Sequence, residues 1–447
     1  MEFKEVTDEE ILERVAKDNV KFVNLQFTDL FGVVKNVTIT SEHLEDSLES
    51  GTWFDGSSIE GFARIHESDM FLKPDKDTYV SIPWLHSADG NTARLICDIY
   101  NADGKPFEGA PRTILKKVLA EAKELGYEYN TGPELEFFLF KKENCKLQPL
   151  PHDKGGYFDL SMDHAYEIRR DMAIALGKFG IAVEALHHEV AVGQHEIDFR
   201  YGDALKTADN ATTMRYVVKA VAEKHGLHAT FMPKPITGIN GSGMHIHQSL
   251  FKDDVNLFFD GSDSHNMSSL AKNFIAGQLK HIRGMCAITS PTVNSYKRLT
   301  PGYEAPVYLS WARTNRSALI RVPAIKKDKP KAARIELRCP DPSCNIYLAF
   351  AIMLKAGLDG IKNKLEPPVP VEEDLYEFDD NKLSKLNIAQ LPYSLFEATK
   401  EMKKSELVKD VLGETTFNKY IHAKISEWDE YRLQVTEWEL DRYLESY

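Results

Sequence analysis

The stretch NGSGMHIHQSL, residues 240–250, places two histidines two positions apart directly after a glycine-rich turn. Glycine lets the backbone of a turn approach a neighbouring group closely. Side chains two residues apart on a strand lie on one face, so His245 and His247 are expected to point the same way. Two interpretations follow: a metal-and-phosphate site, or a tight turn before an ordinary strand with two hydrogen-bonded histidines.

Composition narrows the class of protein. A length of 447 residues allows two or three domains, or one large catalytic body with a smaller partner. The apolar content of 43% and the charged content of 28% are typical of a soluble globular protein. A net charge of −13 argues against general nucleic-acid binding, because phosphate backbones attract cationic surfaces. A local basic pocket for a nucleotide is compatible with that charge.

Three features predict a cytoplasmic protein that does not enter a membrane. The start of the chain, MEFKEVTDEE, is acidic and polar, unlike a signal peptide. The longest apolar segment, YLAFAIMLKAGL (347–358), is too short to span a bilayer and predicts a buried helix. The five cysteines form no CxxC pair, which fits a reducing compartment.

The order of elements predicts an α+β fold, with a small β-rich domain at 1–105 and a larger domain at 106–447. The loop NADGKPFEGAP (101–111) favours this boundary. Strands are predicted at 20–39 with a turn at FTDLFG, and at 92–100, 133–140, 195–202 and 333–340. Helices are predicted at 7–18, 113–126, 163–180, 347–358 and from 416 to 447, and LEPPVPVEEDLYEFDD (365–380) is predicted to be an exposed loop. The last helix is predicted to align Ile421, Ile425, Trp428, Val435 and Trp438 near one stripe.

Charged side chains recur on predicted strands where core residues would be expected. They are Glu134 and Glu136 in PELEFF, Glu189 and Glu196 in HHEVAVGQHEIDF, and Arg334, Glu336 and Arg338 in ARIELR. For any one pair, a polar strand face toward solvent is the alternative. The repetition on several strands favours convergence of the acids in one cleft.

Converging carboxylates require cations. Two like charges about 4 Å apart repel by roughly 4 kcal/mol at an effective dielectric of 20. Oxygen ligands with a single histidine favour Mg²⁺ or Mn²⁺ over Zn²⁺. Protein-bound Mg²⁺ often shares its shell with substrate phosphates, so the metal interpretation implies a nucleotide.

Basic residues follow in residues 298–338. Arg298, Arg313, Arg316 and Arg321 alternate with apolar and small residues, which favours inward placement, whereas Lys326, Lys327 and Lys329 are typical of a solvated surface. Arginine binds phosphate and carboxylate oxygens bidentately and stabilises a phosphoryl group in transfer. The chain has no GxxxxGK[ST] motif, and GINGSG does not match GxGxxG, so a nucleotide must bind on another scaffold.

Five stretches together resemble glutamine synthetase, in the class I form of bacteria and archaea. They are DGSSIEGF (55–62), PELEFF (133–138), NGSGMHIHQSL (240–250), PTVNSYKRLTPGYEAP (291–306) and KAARIELRCPD (331–341). The resemblance extends from about residue 15 to the C-terminus. It implies a small β-grasp-like N-terminal domain and a large catalytic domain with an open antiparallel β-barrel and surrounding helices. It also implies a homo-oligomer of two stacked hexameric rings, with active sites between adjacent subunits.

The reaction implied by the resemblance joins glutamate and ammonium, with ATP as co-substrate and two to three Mg²⁺ or Mn²⁺ ions per site. The glutamate γ-carboxylate attacks the ATP γ-phosphate, and ammonia then displaces phosphate from γ-glutamyl phosphate. The implied metal ligands are Glu136, Glu189 and Glu196 at one position and Glu134, His245 and Glu336 at the other. The implied glutamate-binding residues are Asn240, Gly241, Arg298, Glu304 and Arg338. The implied nucleotide-binding residues are Glu184, His247, Ser249, Arg316, Arg321, Lys331 and Arg334.

The same resemblance assigns four residues to catalysis: Asp55, Glu304, Arg316 and Arg338. Asp55 of an adjacent subunit would bind ammonium and assist its deprotonation. Glu304 would lie in a flap over the intermediate, because an acyl phosphate must be protected from water. Arg316 would meet the phosphate in transfer.

The resemblance also bears on regulation. The chain length, and the absence of a proline pair after Tyr376 in DLYEFDD, favour the shorter I-alpha-like subtype that is not modified by AMP. Arg64 in EGFARIHESDM matches a position linked to glutamine feedback, and a surface arginine is the alternative. Within the family, 2-oxoglutarate, a PII-type protein or a small inhibitory protein acts as regulator, and no motif here selects among them.

Two other functions are weighed against glutamine synthesis. A relative could couple glutamate to a larger amine such as a polyamine, but the Asp55 loop and Glu304 favour ammonia. A nitrogen sensor with weak catalysis is the other alternative. The full set of predicted ligands and arginines disfavours sensing as the sole role.

Overall fold

The computed structural model describes residues 6–59, 69–143, 146–150, 153, 156–157, 159, 163, 165–303 and 305–447. The strands are β1 Val20–Thr28, β2 Val34–Thr40, β3 Thr52–Asp55, β4 Asp69–Ser81, β5 Asn91–Asn101, β6 Glu128–Glu143, β7 Lys146–Pro149, β8 Val183–His188, β9 Gln194–Phe199, β10 Gly202–Asp203, β11 Leu227–Thr230, β12 Met244–Lys252, β13 Val255–Asn256, β14 Tyr308–Ala312, β15 Ala318–Arg321 and β16 Ile335–Leu337. The helices are α1 Asp8–Lys17, α2 Leu44–Ser50, α3 Pro111–Glu124, α4 Tyr166–Lys178, α5 Ala204–Lys224, α6 Ser269–Thr289, α7 Ser295–Arg298, α8 Ile346–Lys362, α9 Asp380–Lys385, α10 Leu395–Lys403, α11 Glu406–Leu412, α12 Glu414–Arg432 and α13 Glu437–Tyr443.

The N-terminal sheet has the strand order β2-β1-β5-β4-β3, with β1 and β5 parallel and the other pairs antiparallel. Helix α1 begins at a capping box formed by Thr7 and Glu10. Its buried residues Ile11 and Val15 pack into the core of this sheet. The predicted turn at FTDLFG connects β1 to β2 and is confirmed.

The second sheet has eleven strands and curls into a half-barrel. Its path is β14-β15-β16-β12-β6-β9-β8, and the long β6 also pairs with β7, β10 and β11. Apart from the parallel pair β14–β15, the pairs along this path are antiparallel. The predicted α+β class and open antiparallel barrel are confirmed.

Helices pack behind the half-barrel. The prediction of a buried helix at 347–358 is confirmed, since α8 is buried along nearly its whole length. The extended contact between α8 and α6 forms the centre of the helical layer. Among the described helices, none combines the length and the apolar character needed to cross a membrane.

The C-terminal prediction is wrong in one respect. The helix ends at Arg432, and a new helix starts at Glu437 behind its own capping box at Thr436, so the helical phase restarts. Ile421 is buried, but Val435 and Trp438 are 68% and 61% exposed. The predicted stripe therefore does not continue past the break.

The predicted loop at 365–380 is only partly exposed. It contains a short 3₁₀ turn at Leu375–Glu377, and Leu375 is fully buried. The Tyr376 ring packs against the core, and its hydroxyl donates a hydrogen bond to the Ala305 carbonyl at 2.7 Å. Apolar residues within the acidic segment anchor it to the half-barrel.

An ionic cluster connects the N-terminal sheet to the helical layer. Arg112 at the start of α3 is 6% exposed and binds Asp75 of β4, Asp98 of β5 and Asp209 of α5 at 2.6–2.9 Å. Burial alone would lower the pKa of Arg112, but Asp209 and the other acids raise it well above its usual value. Tyr347 of α8 also donates a hydrogen bond to Asp209.

We expect Arg112→Met to lower the free energy of unfolding by about 3–5 kcal/mol, because it leaves buried carboxylates without their cation. Urea denaturation followed by circular dichroism measures this loss. Lys105→Met is the control, since Lys105 pairs with Asp103 on the exposed surface, where removal of one partner has little effect. Equal stability of the two variants would contradict the structural role of the cluster.

Candidate active site

Strand β12 explains the paired histidines. Met244 and Ile246 point into the hydrophobic core, while the alternate residues His245 and His247 point to the opposite face. The prediction that the two histidines share one face is confirmed. His245 lies opposite Glu134 of β6, and His247 lies opposite Glu336 of β16.

The glycine-rich turn before β12 packs too closely for side chains. A Cβ atom on Gly241 would lie 2.2 Å from the Pro233 carbonyl oxygen. A Cβ atom on Gly243 would lie 2.5 Å from Nη2 of Arg298. The Gly243 amide also donates a hydrogen bond to Oε2 of Glu136 at 2.9 Å. The turn therefore brings bare backbone against charged side chains of the site.

A cavity of about 460 Å³ opens at this face of the half-barrel. We call it the acid cavity. The predicted site residues in its lining are Glu134, Glu136, Glu189, Glu196, Asn240, Gly241, His245, Arg298, Arg316, Arg321, Glu336 and Arg338. The structure thus brings the predicted metal-ligand and glutamate-binding positions together, apart from Glu304, which lies outside the described residues.

A second cavity of about 340 Å³, which we call the strand-edge cavity, adjoins the first. Its predicted residues are Glu184, His247, Ser249, Lys331 and Arg334. Glu134 and Asp198 line both cavities, so the two are neighbours across one pair of carboxylates. Residues assigned to the nucleotide by resemblance thus divide between the cavities, with Arg316 and Arg321 on the acid side.

Asp55 and Arg313 are not among the described residues that line the two cavities. Asp55 belongs to the N-terminal sheet. It is exposed at the end of β3 and accepts hydrogen bonds from the amide and hydroxyl of Ser57. Arg64 is outside the described part of the chain. Arg313 does not point into the site as its spacing suggested, because it pairs with Glu372 at 2.9 Å.

One group of ligand atoms matches a predicted metal position. Nδ1 of His245 lies 3.5 Å from Glu134 and 3.7 Å from Glu336, and these three residues can converge on one ion. A second group consists of His187, Glu196 and Asp198. Glu136 and Glu189 line the same cavity beside it. The two groups share the acid cavity.

Asp198 and His187 were not among the residues predicted for the site, yet both line the acid cavity. Asp198 lies opposite Glu134 in the register of β6 with β9, two residues beyond Glu196. The alternation in HEIDF already placed it on the face of Glu196, so this signal was present. Nε2 of His187 lies 2.9 Å from Oε1 of Glu189, and the spacing of two residues in HHE (187–189) was the signal for this proximity.

Crowding changes the proton affinity of the acids. Burial and the nearby Glu189 carboxylate raise the pKa of Glu136 to about 8. Burial and the neighbouring acids Asp198 and Glu136 raise the pKa of Glu196 well above its usual value. Burial would also raise the pKa of Glu134, but hydrogen bonds with His245 and His247 outweigh it and lower the pKa. The cavity therefore holds more negative groups than its own side chains neutralise.

Arginines line the acid cavity together with the carboxylates. Glu336 is 1% exposed and accepts hydrogen bonds from Arg321 at 2.7 Å and Arg338 at 2.9 Å. Arg298 is buried and donates to the carbonyl oxygens of Arg338, Cys339 and Pro340. Arg316 is exposed at the cavity rim. Arginine cations and carboxylates thus line one cavity, which a small anionic substrate can enter.

The donor set fits divalent oxygen-seeking cations. Carboxylates predominate, with one histidine nitrogen in each group, and such oxygen-rich donor sets suit cations such as Mg²⁺ and Mn²⁺. The raised pKa values of Glu136 and Glu196 are the expected result of acids placed together for cations. A buried Asp153–His188–His195 group fits poorly, because Arg169 donates to Nδ1 of His195 and fixes its proton on Nε2.

Comparisons with known proteins agree with this site. The glutamine synthetase β-grasp domain model matches residues 19–102, and the glutamine synthetase catalytic domain model matches residues 108–443. A glutamine synthetase of Clostridium saccharobutylicum is 55% identical over 99% of both chains. One from Thermotoga maritima is 54% identical over 98% of this chain and 100% of its own.

Solved structures give the same result. The Plasmodium falciparum glutamine synthetase superposes with a TM-score of 0.89 at 28% identity, over 99% of this chain and 100% of that one. A GmaS–ADP complex superposes with a TM-score of 0.87 at 31% identity, over 97% and 99%. Fold and site together define a ligase that uses ATP and divalent metal. The chain belongs to the glutamine synthetase family, and its reaction is the ATP-dependent synthesis of glutamine from glutamate and ammonia.

We expect the metal-free protein to lose stability as pH rises from about 5 to about 8. The folded state keeps a proton on Glu136 up to a pKa of about 8, whereas an unfolded glutamate releases it near pH 4.3. Folding is thus favoured below the unfolded pKa and weakened above it. Thermal unfolding in EDTA across this range measures the fall.

Glu136→Gln removes the titrating proton and should flatten this part of the pH profile. Saturating Mn²⁺ should also reduce the fall for the unaltered protein, because cations favour the ionised carboxylates. Glu372→Gln, outside the cavity, is the control and should keep the original profile. A Glu136→Gln profile identical to that of the unaltered protein would count against the crowding.

Proposed function

We propose that the acid cavity binds glutamate and the divalent cations, and that the strand-edge cavity binds ATP. The observation that supports this division is the shared wall at Glu134 and Asp198, which puts the two cavities in contact. A phosphoryl group can then pass from a nucleotide in one cavity to a carboxylate in the other. Phosphoryl transfer depends mainly on such positioning and on charge stabilisation.

Glu136, Glu189 and Glu196 would hold one cation, and Glu134, His245 and Glu336 another. His187 and Asp198 join this donor set on geometric grounds. When bound, Mg²⁺ or Mn²⁺ neutralises the phosphate oxygens during transfer. Asn240, Gly241, Arg298 and Arg338 line the adjoining part of the acid cavity and would orient glutamate, together with Glu304.

The reaction proposed for this site has two steps. The γ-carboxylate of glutamate attacks the γ-phosphorus of ATP, ADP leaves, and γ-glutamyl phosphate forms. Arg316 and Arg321 at the rim stabilise the transferred phosphoryl charge. Ammonia then attacks the γ-carbonyl carbon, the bond to the phosphate oxygen breaks, and glutamine and phosphate are released.

On the nucleotide side, Glu184, His247, Ser249, Lys331 and Arg334 line the strand-edge cavity. Arg334 lies 3.3 Å from Nδ1 of His247, while Nε2 of His247 contacts Glu134 at 2.7 Å. His247 thus lies in the strand-edge cavity against Glu134, which both cavities share, and the ATP phosphates would lie there. The related GmaS structure with ADP supports a nucleotide on this scaffold.

Asp55 is proposed to complete the site of an adjacent subunit. It lies exposed on the N-terminal sheet, away from the cavities of its own chain. In the site of the adjacent subunit, Asp55 would bind ammonium and accept its proton.

We further propose that the protein forms a homo-oligomer of two stacked hexameric rings, is located in the cytoplasm and belongs to the short subtype not modified by AMP. Arg64 is proposed to take part in glutamine feedback, and a PII-type or small inhibitory protein is a candidate regulator.

We expect Glu336→Ala to abolish glutamine formation while the oligomer remains intact, because the change removes a cation ligand and the partner of two arginines. Ammonium-dependent phosphate release, with glutamine detected in parallel, measures activity. Mn²⁺ titration calorimetry measures the loss of metal binding independently.

Glu372→Ala is the matched control for Glu336→Ala. It also removes a carboxylate from an arginine pair, but outside the two cavities. This control should keep its turnover and Mn²⁺ binding. Normal turnover in Glu336→Ala would exclude its assigned role. A polyamine panel in the same assay tests whether a larger amine replaces ammonia.

Co-refolded mixtures test the shared site. Asp55→Ala and Glu336→Ala should each be inactive alone, yet an equal mixture should recover about a quarter of the activity. In random cyclic assembly, that is the share of interfaces with both residues intact. Activity that stays absent in mixed oligomers would show that Asp55 serves its own chain or none.

A further inference from the structure

Two residues on either side of position 304, Tyr303 and Ala305, line the acid cavity. Each is held by a residue that has no role in the reaction described above. Nζ of Lys234 lies 4.0 Å from the centre of the Tyr303 ring, within cation–π distance. The Tyr376 hydroxyl donates to the Ala305 carbonyl at 2.7 Å. The part of the cavity wall formed by Tyr303 and Ala305 is therefore anchored through both residues.

Lys234 is itself fixed in place. Its amide donates to Oδ1 of Asn294 at 2.7 Å, and Nδ2 of Asn294 donates to its carbonyl at 3.0 Å. Asn294 is the N-cap residue of α7, the short helix that ends at Arg298. The reciprocal bonds tie the backbone of Lys234 to the segment that carries a glutamate-site arginine.

The ammonium group of Lys234 also donates to the carbonyl of Ile239. Ile239 directly precedes Asn240 and Gly241, which line the acid cavity. One lysine therefore contacts the turn before β12, the start of α7 and the Tyr303 ring. These are three separate segments of the glutamate side of the cavity.

Tyr376 anchors the wall at Ala305. It belongs to the acidic segment 365–380, and its half-buried ring lies 6.2 Å from the ring of Tyr308 on β14. Its hydroxyl is engaged with backbone of the wall. The acidic segment thus contributes a structural contact to the wall of the active-site cavity.

We propose that Lys234 and Tyr376 are positioning residues that hold the Tyr303 and Ala305 wall against the acid cavity and so keep water from the acyl phosphate. This inference rests on the proposed two-step reaction. If the wall loosens, the oxygen of water attacks the γ-carbonyl in place of ammonia. The bond to the phosphate oxygen breaks, and glutamate and phosphate form without glutamine.

The test compares Tyr376→Phe and Lys234→Met with the unaltered full-length protein. We expect ammonium-independent phosphate release to rise about fivefold in each, the factor for loss of one ordinary hydrogen bond or cation–π contact. The KM for glutamate should rise in Lys234→Met, because its contact with Ile239 is lost. The KM for ATP should stay unchanged, since neither residue lines the strand-edge cavity.

Three further variants separate positioning from general destabilisation. Lys234→Arg should restore coupling, because arginine also stacks on an aromatic ring. Tyr393→Phe removes a similar hydroxyl bond to Gln390 on the surface, and Lys400→Met removes a lysine 4.1 Å from the Phe396 ring. Both surface variants should keep the ratio of phosphate to glutamine of the unaltered protein.

An unchanged ratio in both Tyr376→Phe and Lys234→Met would overturn the proposal. A KM for ATP that rises in step with the ratio, or an equal rise in the surface controls, would also overturn it in favour of a merely structural effect. If the unaltered protein released phosphate without glutamine even with ammonium, the proposed reaction would fail instead. The two failures are therefore distinguishable.

Discussion

The register of β6 is the constraint on which the active site depends. Along this strand, Leu135 and Phe137 fill the core, and Glu134 and Glu136, which alternate with them, line the acid cavity. A slip of one residue would exchange the two sets, burying acids in the core and placing apolar side chains in the cavity. Because β6 pairs with both β9 and β12, the same register also sets the positions of Glu196 and His245. The same strand register therefore determines both the packing of the core and the positions of the site residues.

Charge is the second constraint, and it opposes folding. The half-barrel gathers carboxylates closely enough to raise the pKa values of Glu136 and Glu196. The protein offsets part of this cost within the fold, since Arg321 and Arg338 hold Glu336 and histidines contact Glu134. The remainder is left for ligands. A site that is costly without cations and well formed with them couples metal binding to local order.

Much of this organisation could be predicted from the sequence, because strand alternation is local. The facing of His245 and His247, and of Glu134 and Glu136, followed from the spacing of residues within single strands. The ionic cluster of Arg112 and the Tyr376–Ala305 hydrogen bond could not be predicted in this way. They link segments far apart in the chain, and no local pattern records such pairs. The failed C-terminal stripe has a different cause, because a single cap at Thr436 resets the helical phase.

The ionic cluster at Arg112 also has a mechanical meaning. Arg112 joins β4 and β5 to α5, and β3 with Asp55 is hydrogen-bonded to β4. Asp55, which is proposed to act in the site of an adjacent subunit, thus lies on a sheet that ion pairs hold to the catalytic domain of its own chain. In the proposed ring, each subunit would hold one active site and would also supply Asp55 to the active site of its neighbour. A movement of one catalytic domain would therefore displace Asp55 at the neighbouring active site, without any change in the residues of the neighbour that line that site.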